Sequence, residues 1–254
     1  MTETLTICPI CDSPNLRERW TGDIMVSVCR DCDQSFVNPR MTDDEATVFY
    51  QGEYWNRMSA TGNNVRDNIN TVRHRERARI QALELHKWFI GLHTMLEIGS
   101  ATGFLLDQLA QSYDMECIGV EPDLRYHQVE PAKRYKLYPK IEDIPPVTFD
   151  LIAMSHSLEH LNRPREFMED LIEHHTHPST RFMIEVPNLD VIVNTLTNQH
   201  PFAFTETTLN NLMARLGFIP LRMVKHGLGN AKPSYLLGMY GSSPEDLTYI
   251  NPNG

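Results

Sequence analysis

From His93 onward the sequence alternates short apolar runs with amphipathic stretches, and this alternation constrains the fold more than any other feature. Strand-like runs lie at Thr94 to Ile98, Glu116 to Val120, Phe149 to Met154, Phe182 to Val186, Ile219 to Val224 and Tyr235 to Tyr240, with helix-like stretches between most of them. Such alternation predicts an α/β fold built on a doubly wound, mostly parallel sheet. The last two runs are separated only by KHGLGNAKP, which is too short for a crossover helix. The final strand is therefore expected to run antiparallel, as a hairpin partner.

In a doubly wound sheet, ligands sit at the carboxyl ends of the strands, and the first strand-to-helix turn carries glycine where backbone must come close to the ligand. The stretch LEIGSATGF places Gly99 and Gly103 in that turn. A dinucleotide fingerprint needs glycines where Ala101 and Phe104 stand, and a P-loop needs Lys and Ser or Thr where Phe104 and Leu105 stand. Glu97 would meet a bound pyrophosphate as a like charge, whereas it suits a ligand bearing positive charge. Glu121 ends the second strand in GVEPD, where a carboxylate can accept both hydroxyls of a ribose. Together these residues predict an adenosine ligand with a cationic tail and no phosphates.

Four of the five cysteines form two C-x-x-C pairs, Cys8 with Cys11 and Cys29 with Cys32. This is the spacing of a four-cysteine zinc site: each short turn aims two thiolates at one ion, and four thiolates leave no open position for water, so the site is structural. The intervening WTGDIMVSV reads as a hairpin joining two zinc knuckles. A ribbon this small needs the metal for its folding free energy. Pro39 closes it, and Thr42 reads as the N-cap of a following helix with acids in its first turn. Cys117, inside MECIGVE, is expected to be a buried strand residue. The expected organisation is a zinc ribbon over residues 1–40, a helical connecting and lid segment over 41–92, and the ligand-binding α/β domain over 93–254.

The connecting segment contains a loosely helical pattern from Asp67 to His93, with apolar positions Ile69, Val72, Ile80, Leu83, Trp88 and Phe89. Arg66, Arg73, Arg75, Arg77 and Arg79 crowd its start; Glu76 and Glu84 interrupt them, so they read as a solvated face before an RNA contact. Tyr50, Tyr54 and Trp55 are lid candidates. A net charge of -10 argues against broad binding to nucleic acid or anionic membrane. There is no apolar run of membrane-spanning length and no signal-peptide pattern at the start, so a cytoplasmic location is expected.

With these residues in view, the chain resembles the class I S-adenosylmethionine-dependent methyltransferases from about Val65 onward. LEIGSATGF looks like their first motif, GVEPD the second, FDLIAMSHSLEHL the fourth, and PFAFTETTLNNLMARLGF the segment before the sixth strand. With the ribbon in front, the arrangement is similar to a branch that includes sugar methyltransferases. The resemblance implies a Rossmann-like fold, S-adenosylmethionine as cofactor and a small-molecule acceptor such as a nucleotide-linked sugar or glycoconjugate. It implies that Glu97, Gly99, Ser100, Ala101 and Gly103 line the methionine end, that Glu121, Pro122 and Asp123 lie at the ribose, and that Ser155 and His156 border the methyl-transfer side. Lys140 stands where an acid often meets the adenine, with Ile141 and Glu142 as substitutes. Ala101 replaces the usual middle glycine. The alternatives are an RNA methyltransferase that holds its target with the ribbon, and a non-enzymatic module with a degenerate pocket.

The histidines offer competing readings. HSLEH, from His156 to His160, matches a zinc-peptidase signature, but that chemistry needs both imidazoles on one stable helix face, and Pro164 follows too soon. The histidines of EHHTHP fall where a helix ends and complement its dipole. His200, in NQHPFAF, is expected over the carboxyl edge, and His226 in the terminal hairpin turn on the same edge. If the acceptor must lose a proton, His156, His160 or His200 is the expected base.

Overall fold

The computed structural model describes residues 2–49, 71–88, 91–124, 134–192, 195–228 and 231–243. The amino-terminal part consists of β1 (Thr2–Glu3), β2 (Leu16–Thr21), β3 (Ile24–Cys29), β4 (Ser35–Val37) and β5 (Arg40–Met41), followed by α1 (Asp43–Val48). β2 and β3 form the expected antiparallel hairpin. Gly22 supplies its turn with φ of 60°. Thr42 caps α1 reciprocally: its hydroxyl accepts from the Glu45 amide, and Glu45 Oε2 accepts from the Thr42 amide.

The rest of the chain adds α2 (Thr71–Trp88), β6 (Thr94–Ile98), α3 (Phe104–Ser112), β7 (Glu116–Val120), β8 (Tyr135–Tyr138) and β9 (Leu151–Ser155). These are followed by α4 (Pro164–His175), β10 (Arg181–Pro187), β11 (Phe202–Ala203), α5 (Glu206–Arg215), β12 (Ile219–His226) and β13 (Tyr235–Gly241). A seven-stranded sheet runs in the order β12-β13-β10-β9-β6-β7-β8. Its strands β8, β7, β6, β9 and β10 are parallel neighbours, and β13 lies antiparallel between β10 and β12. All six expected strands form. The edge strand β8 was not among them, because YKLY is too short to stand out by periodicity.

Alternation along the central strands divides the core into two layers. Met95, Leu151, Ala153, Met183 and Leu237 meet α2 and α3 on one face. Leu96, Ile152, Met154, Phe182 and Ile184 meet α4 and α5 on the other. The expected apolar stripe on α2 is corrected: Leu83 is 41% exposed, and the helix buries Ala78, Gln81, Ala82 and Leu85. Ala78, Ala82 and Leu85 pack against Leu105, Leu106 and Leu109 of α3, and the expected stripe contained none of these three. Tyr50, Tyr54, Trp55, Arg66, Ile69 and Phe89 lie outside the described residues.

The ribbon does not complete its own sheet. The order there is β11-β4-β3-β2, so the edge comes from Phe202 and Ala203, far along the chain. Phe202 stacks on Phe36 at 6.0 Å and on Phe204 at 6.2 Å. Cys8, Ile10, Cys29 and Phe36 belong to the same buried cluster as the layer over α4 and α5. The start of α4 adds polar clasps: Pro164 occupies its first position, Arg165 grips Asp12 of the first knuckle at 2.6 and 2.9 Å, and Arg163 holds Asp43 at 2.8 Å.

Arg40 is the most deeply placed of these clasps, at 2% exposure. It pairs with Glu3 at 2.9 Å, donates to the Asn162 carbonyl and lies 5.8 Å from the Phe202 ring centre. Arg40→Ala is expected to lower stability in urea unfolding by about 3 kcal/mol, because Glu3 and the Asn162 carbonyl lose their cation inside the fold.

Candidate functional site

The turn between β6 and α3 lies at the carboxyl end of the central strand. Gly99, Ala101 and Gly103 all have positive φ, at 73°, 44° and 71°. The amides of Gly99 and Ser100 both donate to the Val120 carbonyl, at 2.8 and 3.0 Å, which ties the turn to the end of β7. A side chain at Gly99 would run into Ser157 Oγ, and one at Gly103 into the Tyr135 hydroxyl. Both glycines are therefore required by backbone conformation and by close neighbours within the protein. Ala101 adopts the same left-handed region at a cost of about 1 kcal/mol, and turns its amide onto Glu121 Oε2 at 2.8 Å.

Two acids flank this turn. Glu121 bridges the Ala101 amide and, through Oε1, the Asp123 amide at 2.9 Å. Burial pushes its carboxyl up to about 7 against the pull of those two amides. Asp123 is buried beside it, and Pro122 is exposed. Glu97 is 4% exposed, and its Oε2 has no hydrogen-bond partner among the described residues. Burial pushes it up to about 8, with the Arg77 charge opposing and Glu121 adding. Ser100 Oγ is also buried without a partner among those residues. Unpaired buried polar atoms are rare in folded proteins, and two of them, Glu97 Oε2 and Ser100 Oγ, flank this turn. Ile141 is half-buried and Glu142 exposed in a single 3-10 turn beyond β8.

A second group of charges occupies the neighbouring strand ends. Glu185 is fully buried on β10, opposite Ser155 of β9. His226 Nε2 donates to it at 2.7 Å, His156 Nε2 lies 3.3 Å away and Arg77 Nε 3.6 Å away. Burial alone would raise its pKa, but His156 and His226 prevail and hold it far below the usual carboxylate range. His156, at φ of 54°, also pairs with Glu159 Oε1 at 3.2 Å. Burial and Arg77 push the imidazole down, and the two carboxylates push it up and prevail. Gln81 of α2 donates to Ser155 Oγ at 2.7 Å. Gln81 and Glu185 were missed by the sequence reading, although FMIEVP carries a lone acid in an apolar strand just as LEIG does, and Arg77, read there as part of a solvated face, turns onto Glu185.

HSLEH is split by the fold. Leu158–His160 is one 3-10 turn. His156 faces Glu185, whereas His160 meets His200 edge-on at 4.5 Å. This gives the peptidase reading neither its helix nor its pair of converging histidines. Burial pushes His160 down to about 4. The EHHTHP histidines scatter: His174 bonds the Asp170 carbonyl, His175 the Val147 carbonyl and His177 the Asp150 carboxylate.

The cysteines converge as their spacing predicts. Cys8 and Cys32 sulfurs lie 3.6 Å apart, Cys11 and Cys29 sulfurs 3.5 Å apart, and all four fall within 4.8 Å of one another. The knuckles are alike: Asp12 and Asp33 follow the second cysteine of each pair at φ of 60° and 61°, and return their amides to the Cys8 and Cys29 carbonyls. Four thiols at this separation fit a tetrahedral zinc ion. Cys117 is buried in β7, apart from them.

Because Glu97 binds its proton more tightly in the folded chain than in the unfolded one, the folded state holds more protons between about pH 5 and 8, and stability falls as pH rises. Urea unfolding across that range is expected to show Glu97→Gln gaining on the parent chain as pH rises, by on the order of 4 kcal/mol.

The profile of a family described as a methyltransferase domain matches residues 56–221. No curated protein sequence matches the chain. A Burkholderia thailandensis 1,6-didemethyltoxoflavin-N1-methyltransferase, solved with its substrate and S-adenosylhomocysteine, superposes with a TM-score of 0.59 at 14% identity, covering 88% of this chain and 98% of that one. The plantazolicin methyltransferase in complex with S-adenosylhomocysteine gives 0.57 at 13% identity, covering 77% and 92%. Magnesium protoporphyrin IX methyltransferase from Synechocystis PCC 6803 gives 0.55 at 14%, covering 80% and 100%. No helix among the described residues is long and apolar enough to cross a membrane. The glycine turn at the carboxyl edge, the single reversed strand β13 and a profile that spans more than half of the sequence converge: the chain belongs to the methyltransferase-domain family and has the class I S-adenosylmethionine-dependent methyltransferase fold.

Proposed function

We propose that the protein transfers a methyl group from S-adenosylmethionine to a small-molecule acceptor, a nucleotide-linked sugar or a glycoconjugate being the class to test first. The observation that carries this reading is Glu97, a buried carboxyl with an unpartnered oxygen beside the Gly99–Gly103 turn. A cationic ligand removes its proton and supplies its missing partner, which a phosphate-bearing ligand cannot do. The residues therefore fit S-adenosylmethionine, which when bound supplies an electrophilic methyl on a sulfonium.

In this reading Gly99, Ser100, Ala101 and Gly103 hold the methionine end, and Ser100 Oγ gains a partner there. Each oxygen of Glu121 accepts from one backbone amide, which sets beforehand the orientation in which the carboxylate meets the ribose hydroxyls. Pro122 and Asp123 flank the ribose, Ile141 and Glu142 the adenine, and Ser155 and His156 the methyl. Alignment along the displacement axis supplies most of the rate. His156 is committed to two carboxylates, so the acceptor is placed against Glu159, His160 and His200 at the same edge.

The ribbon over residues 1–40 is read as a zinc-bound structural element, residues 41–92 as connecting and lid segment, and 93–254 as the catalytic domain, in the reducing cytoplasm where thiolates persist. An RNA-holding role loses support because Arg75 lies over the Phe104 ring at 4.4 Å and Arg77 faces Glu185, so both turn onto the protein.

Calorimetry on the zinc-loaded chain is expected to show S-adenosylmethionine binding that tightens from pH 6 to 8 as Glu97 and Glu121 ionise. Glu121→Ala should weaken it at least about tenfold, since a charge-assisted hydrogen bond contributes about 1.5–3 kcal/mol. Binding unchanged in that variant, with its thermal unfolding still cooperative, would refute the assignment. Nucleotide sugars assayed with S-adenosylmethionine then test the acceptor class. Removing the ribbon metal with a strong chelator should release one zinc per chain and lower the melting temperature of the whole molecule, because Cys8, Cys29 and Phe36 share a core with α4 and α5.

A further inference from the structure

A second cluster of metal-ligating atoms stands at the carboxyl edge, away from the four cysteines. Glu159, His160 and His200 each bring a ligand atom within 4.8 Å of the others. Glu159 and His160 come from the 3-10 turn after β9, whereas His200 arrives from the segment that leads into β11. That segment is fixed by its own turn: the Thr197 and His200 amides exchange bonds with each other's carbonyls at 3.2 and 3.1 Å, and Thr197 Oγ1 accepts from the His200 amide at 3.0 Å.

The hydrogen bonds around the three side chains set their outward-facing atoms. His160 Nδ1 lies 2.8 Å from the Gln199 carbonyl and His200 Nδ1 lies 3.3 Å from the Thr195 carbonyl. A carbonyl only accepts, so each Nδ1 carries the proton and each neutral ring has its lone pair on Nε2. Backbone carbonyls are the usual outer partners of metal-bound imidazoles. Glu159 is 1% exposed; its Oε1 pairs with His156, while its Oε2 is buried with no hydrogen-bond partner among the described residues. His156 thus does for the carboxylate what the two carbonyls do for the rings.

From this geometry we propose that Glu159, His160 and His200 form a second metal site, holding a divalent first-row transition ion through one carboxylate oxygen and two imidazole nitrogens. Three protein ligands of this kind leave coordination positions open, unlike the closed four-thiolate ribbon. Those positions lie at the edge where the acceptor is placed, so the ion holds an oxygen of the acceptor. That contact rests on the methyltransferase reading; the binding of the ion does not.

The test uses the full chain with the ribbon saturated by zinc, without S-adenosylmethionine, and Co2+ as the probe. Equilibrium dialysis with metal analysis is expected to find one Co2+ per chain in addition to retained zinc. Its spectrum should show the weak bands of nitrogen and oxygen ligation and not the intense charge-transfer absorption of thiolate ligation. His200→Ala and Glu159→Gln should each weaken Co2+ binding beyond the roughly hundredfold that loss of an outer partner alone can cost. His174→Ala, on the exposed end of α4, should leave it unchanged. The half-buried His200 keeps the test valid if the buried Glu159 variant fails to fold. No additional Co2+, Co2+ with thiolate absorption, or Co2+ that survives His200→Ala overturns the site. Because cofactor binding is measured separately, failure of either reading is seen independently of the other.

Discussion

A buried negative charge organises the carboxyl edge of this sheet. Glu185 has no exposure at all, and an uncompensated carboxylate in that position would cost several kcal/mol. Three elements answer it: α2 with Arg77, the loop after β9 with His156, and β12 with His226. His156 carries the constraint onward to Glu159, and Gln81, one turn along α2 from Arg77, anchors Ser155. The positions of α2, β9 and the terminal hairpin are thus linked through one carboxylate, and the residues placed at the methyl-transfer side inherit their orientation from it.

The first turn follows a different logic. At Glu97 the Arg77 charge opposes burial without overcoming it, at Glu121 two backbone amides do the same, and burial holds both protons near neutral pH. The contrast separates two uses of the same residue type within one sheet. An acid held by Arg77, His156 and His226 together is structural glue. An acid with an unpartnered oxygen beside a turn of left-handed residues is, in the function proposed, the partner of a ligand that brings its own positive charge.

Much of this was legible in the sequence. Six strands of the main sheet, the reversed last strand, the ribbon hairpin, the Thr42 cap and the convergence of four cysteines follow from patterns local in the chain. The glycines at 99 and 103 were legible as a required turn, although Ser157 and Tyr135, which press on them, were not. Long-range packing was less visible. Nothing in NQHPFAF announces that Phe202 completes the ribbon sheet and sets His200 beside His160, because a two-residue strand has no periodicity. The inward face of α2 was misjudged because Ala78, Ala82 and Leu85, and not Leu83, meet α3. Arg40 and Glu185 were passed over because a charged residue is usually solvated, and only the fold shows what neutralises these two.

In the function proposed, the cofactor occupies the carboxyl edge around the Gly99–Gly103 turn, between Glu97 and Glu121. Hydrogen exchange read by mass spectrometry, with and without S-adenosylhomocysteine, locates that ligand directly. Exchange is expected to slow at residues 97–103 and 119–123, with a smaller effect at 155–157, and to stay unchanged at the ribbon knuckles. Unchanged exchange across the turn at saturating ligand, or protection confined to other segments, would contradict it.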